Sequence, residues 1–118
     1  MCNFNTETAD FFSCEGQHVH EIIGSTVFAE ECEGCHNHRF ATMSGEAIPT
    51  EGSHFHMIKF RTDTHDDHSH EFCGASSLAI PVGDGRHIHF AKACTGEADE
   101  HVHEFRVTSM INNPVEEC

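Results

Sequence analysis

The sequence predicts an all-β protein, a small antiparallel barrel or sandwich of about six strands built from three two-strand repeats. Three observations lead there. The word His-x-His recurs six times, at 18/20, 36/38, 54/56, 68/70, 87/89 and 101/103, and takes up 12 of the 13 histidines. Random placement would give only about one or two such pairs, so the pattern is a periodicity signal. An apolar or small residue follows each pair on the same parity: Ile22, Phe40, Ile58, Phe72, Ala91 and Phe105. Period two is the mark of a strand with one buried face. Between the runs lie clusters of Gly, Asp and Pro, the residues of tight turns.

The spacing defines a larger unit. Successive pairs are 18, 18, 14, 19 and 14 residues apart, and alternate pairs 36, 33, 32 and 33 apart. Such a period means repeated supersecondary units that bury a shared face together. The first unit is enlarged by a Cys-containing insertion, and pseudo-threefold symmetry favours a closed or nearly closed barrel.

Taken in order, residues 1–16 are an N-terminal lead-in carrying Cys2 and Cys14. Residues 17–111 form a single β domain of three His-x-His hairpin repeats, and 112–118 are a C-terminal tail ending at Cys118. Strand one covers 18–23. An acidic loop with Cys32 and Cys35 then feeds into strand two at His36, His38 and Phe40. Residues 44–52 read as a turn with a short apolar piece. The central hairpin, 53–73, places His54, His56, Ile58 and Phe60 on one face and brings His68, His70 and Phe72 to that face from the return strand. Lys59, Arg61, Ser69 and Glu71 point the other way, His65 sits in the turn, and His70 is expected about opposite Phe60. Residues 76–85 repeat the earlier connection. Strand five is 87–94, a turn covers 96–100, and strand six is 101–107.

These residues resemble the YmaF-like family of bacteria, small proteins built from repeated His-x-His strands. The resemblance runs from His18 to about Pro114 and rests on the six pairs and on Ala47-Ile48-Pro49 and Ala79-Ile80-Pro81. That family has no established activity, so the likeness implies a bacterial source and an architecture but no catalytic residue.

Composition narrows the partners. Twenty acids against six Lys and Arg give a formal charge of −14, which argues against nucleic acid or an anionic membrane and favours cations. The chain has no Trp or Tyr, and ten Phe supply the aromatic bulk. No apolar run approaches the roughly 20 residues a membrane span needs. Residues 1–10 lack the features of a signal peptide, so the expected place is the cytoplasm. Seven cysteines there would be thiols or metal ligands rather than a disulfide framework.

The histidines carry the functional expectation. A buried polar ring left unsatisfied costs roughly 1–3 kcal/mol, and a metal ion is the common partner of several imidazoles at once. With successive strands antiparallel, His18, His20, His54, His56, His87 and His89 gather at one end of the domain. His36, His38, His68, His70, His101 and His103 gather at the other, with Cys32 and Cys35 nearby. A parallel pairing would merge the two groups. The expected role is a transition-metal-binding protein for storage, buffering or sensing, with zinc the first choice and nickel, cobalt, copper or iron open. Zinc usually takes four ligands, whereas nickel or cobalt accepts six nitrogens.

Three alternatives stand beside it. A metal-dependent enzyme needs an open coordination position, but Glu21, Glu71, Glu104, Cys73 and Cys94 fall on the outward parity. A c-type haem on Cys32, Cys35 and His36 matches Cys-x-x-Cys-His, although attachment takes place outside the cytoplasm. A self-assembling surface, spore or filament subunit would be cross-linked head to tail through Cys2, Cys14 and Cys118, which requires an oxidising layer.

Overall fold

The computed structural model describes residues 17–28 and 35–111. The lead-in, most of the insertion with Cys32, and the tail with Cys118 lie outside the described residues. Among the described residues every regular element is a strand: β1 Glu21–Ser25, β2 Arg39–Met43, β3 Ile48–Thr50, β4 Ser53–Phe55, β5 Met57–Arg61, β6 Glu71–Ala75, β7 Ile80–Gly83, β8 Arg86–Ile88, β9 Phe90–Cys94 and β10 Glu104–Thr108. The protein is all-β. No helix among the described residues is long and apolar enough to cross a membrane.

The strands pair into five two-stranded antiparallel sheets. Three of these, β1–β2, β5–β6 and β9–β10, are the hairpins that the repeat predicts. The other two, β3–β4 and β7–β8, correct the expectation that 44–52 and 76–85 are turns with a short apolar piece. The cause is local. Glu51-Gly52 (φ 44° and 79°) and Asp84-Gly85 (φ 56° and 72°) each supply two consecutive positive φ angles. That is the type I′ geometry that matches the right-handed twist of a hairpin.

The register also differs from expectation. Phe60 pairs with Phe72, and the Thr62 N–H donates to the His70 carbonyl at 2.8 Å. His70 therefore lies opposite Thr62, not Phe60. The turn is smaller than its polar composition suggested, closing at Asp66-Asp67 (φ 53° and 67°) between His65 and His68.

Nor does a barrel ladder close among the described residues. Hydrogen bonds at the strand ends link each hairpin to the next. At one end Gly45 N–H donates to Met57 O (2.9 Å), Ser77 N–H to Phe90 O (2.8 Å) and Met110 N–H to Glu21 O (2.9 Å). At the other, Val27 N–H donates to Glu104 O, Asp63 N–H to Arg39 O and Gly96 N–H to Glu71 O, at 2.9, 2.9 and 2.6 Å. Three separate sheets thus surround one core of Ile22, Phe40, Ile58, Phe60, Ala91, Phe105 and Val107. Side chains rather than a ladder fill the middle. Phe40 on β2 stacks on Phe60 on β5 with centroids 4.0 Å apart. Gly24 makes room for this, since a Cβ there would come within 2.7 Å of Phe40 Cζ.

Candidate metal centres

The second histidine of each pair is fully buried: His20, His38, His56, His70, His89 and His103 are 0–3% exposed. A small hydroxyl residue six positions further along each strand makes the anchor: Thr26, Ser44, Thr62, Ser76, Thr95 and Ser109. Each hydroxyl accepts the backbone N–H of the inner histidine directly across its hairpin. Ser44 takes His20, Thr26 takes His38, Ser76 takes His56, Thr62 takes His70, Ser109 takes His89 and Thr95 takes His103, at 2.9–3.1 Å. The backbone N–H of the same Ser or Thr donates back to that histidine's carbonyl at 2.8–2.9 Å. The strand end is clasped from both sides. Nothing in the apolar periodicity points to these residues, but their fixed offset from each His-x-His is a repeat signal that could have found them.

The rings are fixed as firmly as their backbones. Nδ1 of His20, His56 and His89 lies 2.8–2.9 Å from the carbonyls of Met110, Gly45 and Ser77. Nδ1 of His38, His70 and His103 lies 2.9 Å from those of Asp63, Gly96 and Val27. A carbonyl can only accept, so Nδ1 carries the proton and the neutral ring presents its Nε2 lone pair. Each carbonyl belongs to a neighbouring hairpin, which ties ring orientation to the assembly of the repeats.

Those lone pairs converge in two places. At one end the ligand nitrogens of His18, His20, His54, His56, His87 and His89 all lie within 4.8 Å of one another. At the other, His36, His38, His68, His101 and His103 meet the same limit. His70 joins them, its Nε2 3.2 Å from that of His101. The grouping is the antiparallel one expected from the chain order. Adjacent Nε2 atoms are closely spaced: His18–His87 3.0 Å, His54–His87 3.1 Å, His20–His87 3.2 Å and His54–His89 3.2 Å. In the second cluster His101–His103 is 3.1 Å. Nε2 of His38, His56 and His68 is buried with no hydrogen-bond partner. A buried nitrogen lone pair without a donor is the condition that a cation relieves.

Comparison with known proteins adds one finding. A family model described as "Spore germination protein GerY/YamF" (YmaF) matches residues 15–111. The chain belongs to the YmaF family. No curated protein and no solved structure matches it.

In this YmaF chain, burial favours the neutral form of all six rings of the first cluster and of His38, His70 and His103 in the second. Loss of solvation, together with the neighbouring imidazoles, lowers His56 and His87 to about 3 and His18, His89 and His103 to about 4. His20, His38, His54 and His70 are lowered chiefly by burial. A neutral imidazole is the form that binds metal.

The remaining sequence candidates separate cleanly. Cys35 and Cys73 each form a disulfide, so in this form neither sulfur offers a thiolate, and the expectation of Cys35 as a ligand thiol is corrected. Cys32 lies outside the described residues. Cys94 is a free, exposed thiol. Glu71 is exposed and pairs with Arg61, Glu21 is exposed, and Glu104 faces Lys92 at 3.9 Å. His65, which belongs to no pair, stacks on His36 with centroids 4.5 Å apart, as a lid beside the second cluster.

Proposed function

We propose that this YmaF-family protein binds divalent transition-metal ions in its two histidine clusters and serves in metal storage, buffering or sensing. One observation carries this reading: six buried rings, three in each cluster, have Nδ1 committed to a backbone carbonyl, which leaves Nε2 to face the other rings of its own cluster. Such hydrogen bonds are how proteins orient metal-binding imidazoles. The surplus of acids, 20 against six basic residues, favours cation approach. The family description speaks of spore germination, a setting in which a store or sensor would work. Catalysis ranks behind binding, because Glu21 and Glu71, each next to a His-x-His pair, stand on the solvent side. A haem role for His36 ranks lower still, since that ring belongs to the second cluster.

Elemental analysis of untagged protein, purified without added metal, tests the reading. The expected result is at least one ion per chain and a melting temperature that falls in chelator. Less than one ion, with melting indifferent to chelator, overturns it.

A further inference from the structure

Each cluster has a definite polyhedral form. At the first end, every ring packs edge-on against all the others except one, and the three pairs set apart are His18–His89, His20–His54 and His56–His87. The second end repeats the pattern, with His70–His101 tilted rather than edge-on and with His36–His70, His38–His101 and His68–His103 set apart. Six vertices, each with a single opposite, form an octahedron. The outer histidines make one triangular face and the inner histidines the other, in keeping with three equivalent hairpins.

The distances agree with that form. A metal–imidazole bond of about 2.1 Å puts adjacent nitrogens about 3.0 Å apart in an octahedron but about 3.4 Å apart in a tetrahedron. The Nε2 pairs stand at 3.0–3.2 Å. Opposite nitrogens of an octahedron would be about 4.2 Å apart, inside the 4.8 Å within which the first six lie. A four-coordinate ion would leave two rings of each cluster idle. Idle buried nitrogens cost about 1–3 kcal/mol each, which favours an ion that uses all six.

We infer that each cluster is a saturated six-nitrogen octahedral site selective for nickel(II), cobalt(II) or iron(II) over zinc. The inference rests on the metal-binding reading above and names its coordination. Imidazole suits these ions, and zinc's habit of four ligands gains least from a six-cornered cage. Copper(II), drawn to tetragonal surroundings, fits the threefold frame less well. Saturation also leaves no coordination position for a substrate.

The test uses the metal-stripped 118-residue chain and cobalt(II) chloride alone as an optical probe. Octahedral cobalt gives a weak pink spectrum and tetrahedral cobalt an intense blue one. The expected result is two equivalents taken up with the weak spectrum, and six nitrogen neighbours by X-ray absorption. The variants His18→Ala, His54→Ala and His87→Ala, at half-buried outer positions, should each weaken binding at the first site by at least about tenfold. In competition, nickel should displace zinc. A blue spectrum, two silent variants or zinc prevailing over nickel would overturn six-coordination while leaving metal binding intact. No uptake of cobalt, nickel or zinc removes both. The spectrum and neighbour count are read on the unmutated chain, so a variant that fails to fold does not spare the inference.

Discussion

Ser109 shows how much rests on one small side chain. Its hydroxyl accepts the His89 N–H at 3.0 Å, donates to the Met110 carbonyl at 3.0 Å, and lies 3.3 Å from His20 Nδ1. Ser109→Ala leaves a buried N–H without an acceptor and should cost about 1–3 kcal/mol in denaturant unfolding. Because it also loosens a ring of the first cluster, the proposed metal binding there should weaken about 10–100-fold, with the second cluster unchanged in the same titration. The histidines themselves set the pH response of the metal-free protein. The folded pKa values of His18, His20, His38, His54, His56, His70, His87, His89 and His103 lie below the unfolded 6.5, with His56 and His87 near 3 and His18 near 4. A base whose pKa is depressed by folding contributes stability that is fully present above the unfolded value and is lost as pH falls towards the folded one. The denaturation midpoint should be level above about pH 7 and drop steadily between about pH 6.5 and 4. A midpoint flat to pH 4.5 would contradict this.

Among the elements, tight turns bring the outer histidines into place. His68 follows Asp66-Asp67 (φ 53° and 67°), and His101 follows Asp99-Glu100 (φ 52° and 67°). Nδ1 of His101 lies 3.1 Å from the Asp99 carbonyl, so this turn also orients its ring. Left-handed backbone at a non-glycine residue costs about 1–2 kcal/mol. Glu100→Gly removes that strain while keeping every backbone bond of the turn, and should raise the melting temperature by several degrees. An unchanged or lower value would show that the Glu100 side chain is itself stabilising. The six core strands were legible in the sequence because His-x-His and the following apolar residue keep one parity over a whole strand. β3–β4 and β7–β8 were not, because three- and four-residue strands containing Pro49 and Pro81 are too short for a period to show. The grouping of histidines by end followed from antiparallel order alone. Their octahedral disposition did not, since it depends on how three hairpins close around an axis, which spacing along one chain does not encode.

At the scale of the molecule, the two clusters are separated by the dry core and joined by the same six strands. Each strand carries a histidine pair at one end and a Ser or Thr clasp at the other. The clasps run in a circle. The loop after Ser44 holds the ring of His56 through Gly45, the loop after Ser76 holds His89 through Ser77, and the loop after Ser109 returns to His20 through Met110. The last repeat is therefore bound to the first in the way the others are bound to each other. A circle has no preferred place to be cut. Joining Cys118 to Met1 and opening the chain between Glu51 and Gly52, in an exposed turn, should produce a circularly permuted protein. It should melt cooperatively and bind the same number of ions as the parent. A permutant that folds but loses one site would show that the native order of the repeats is written into that cluster.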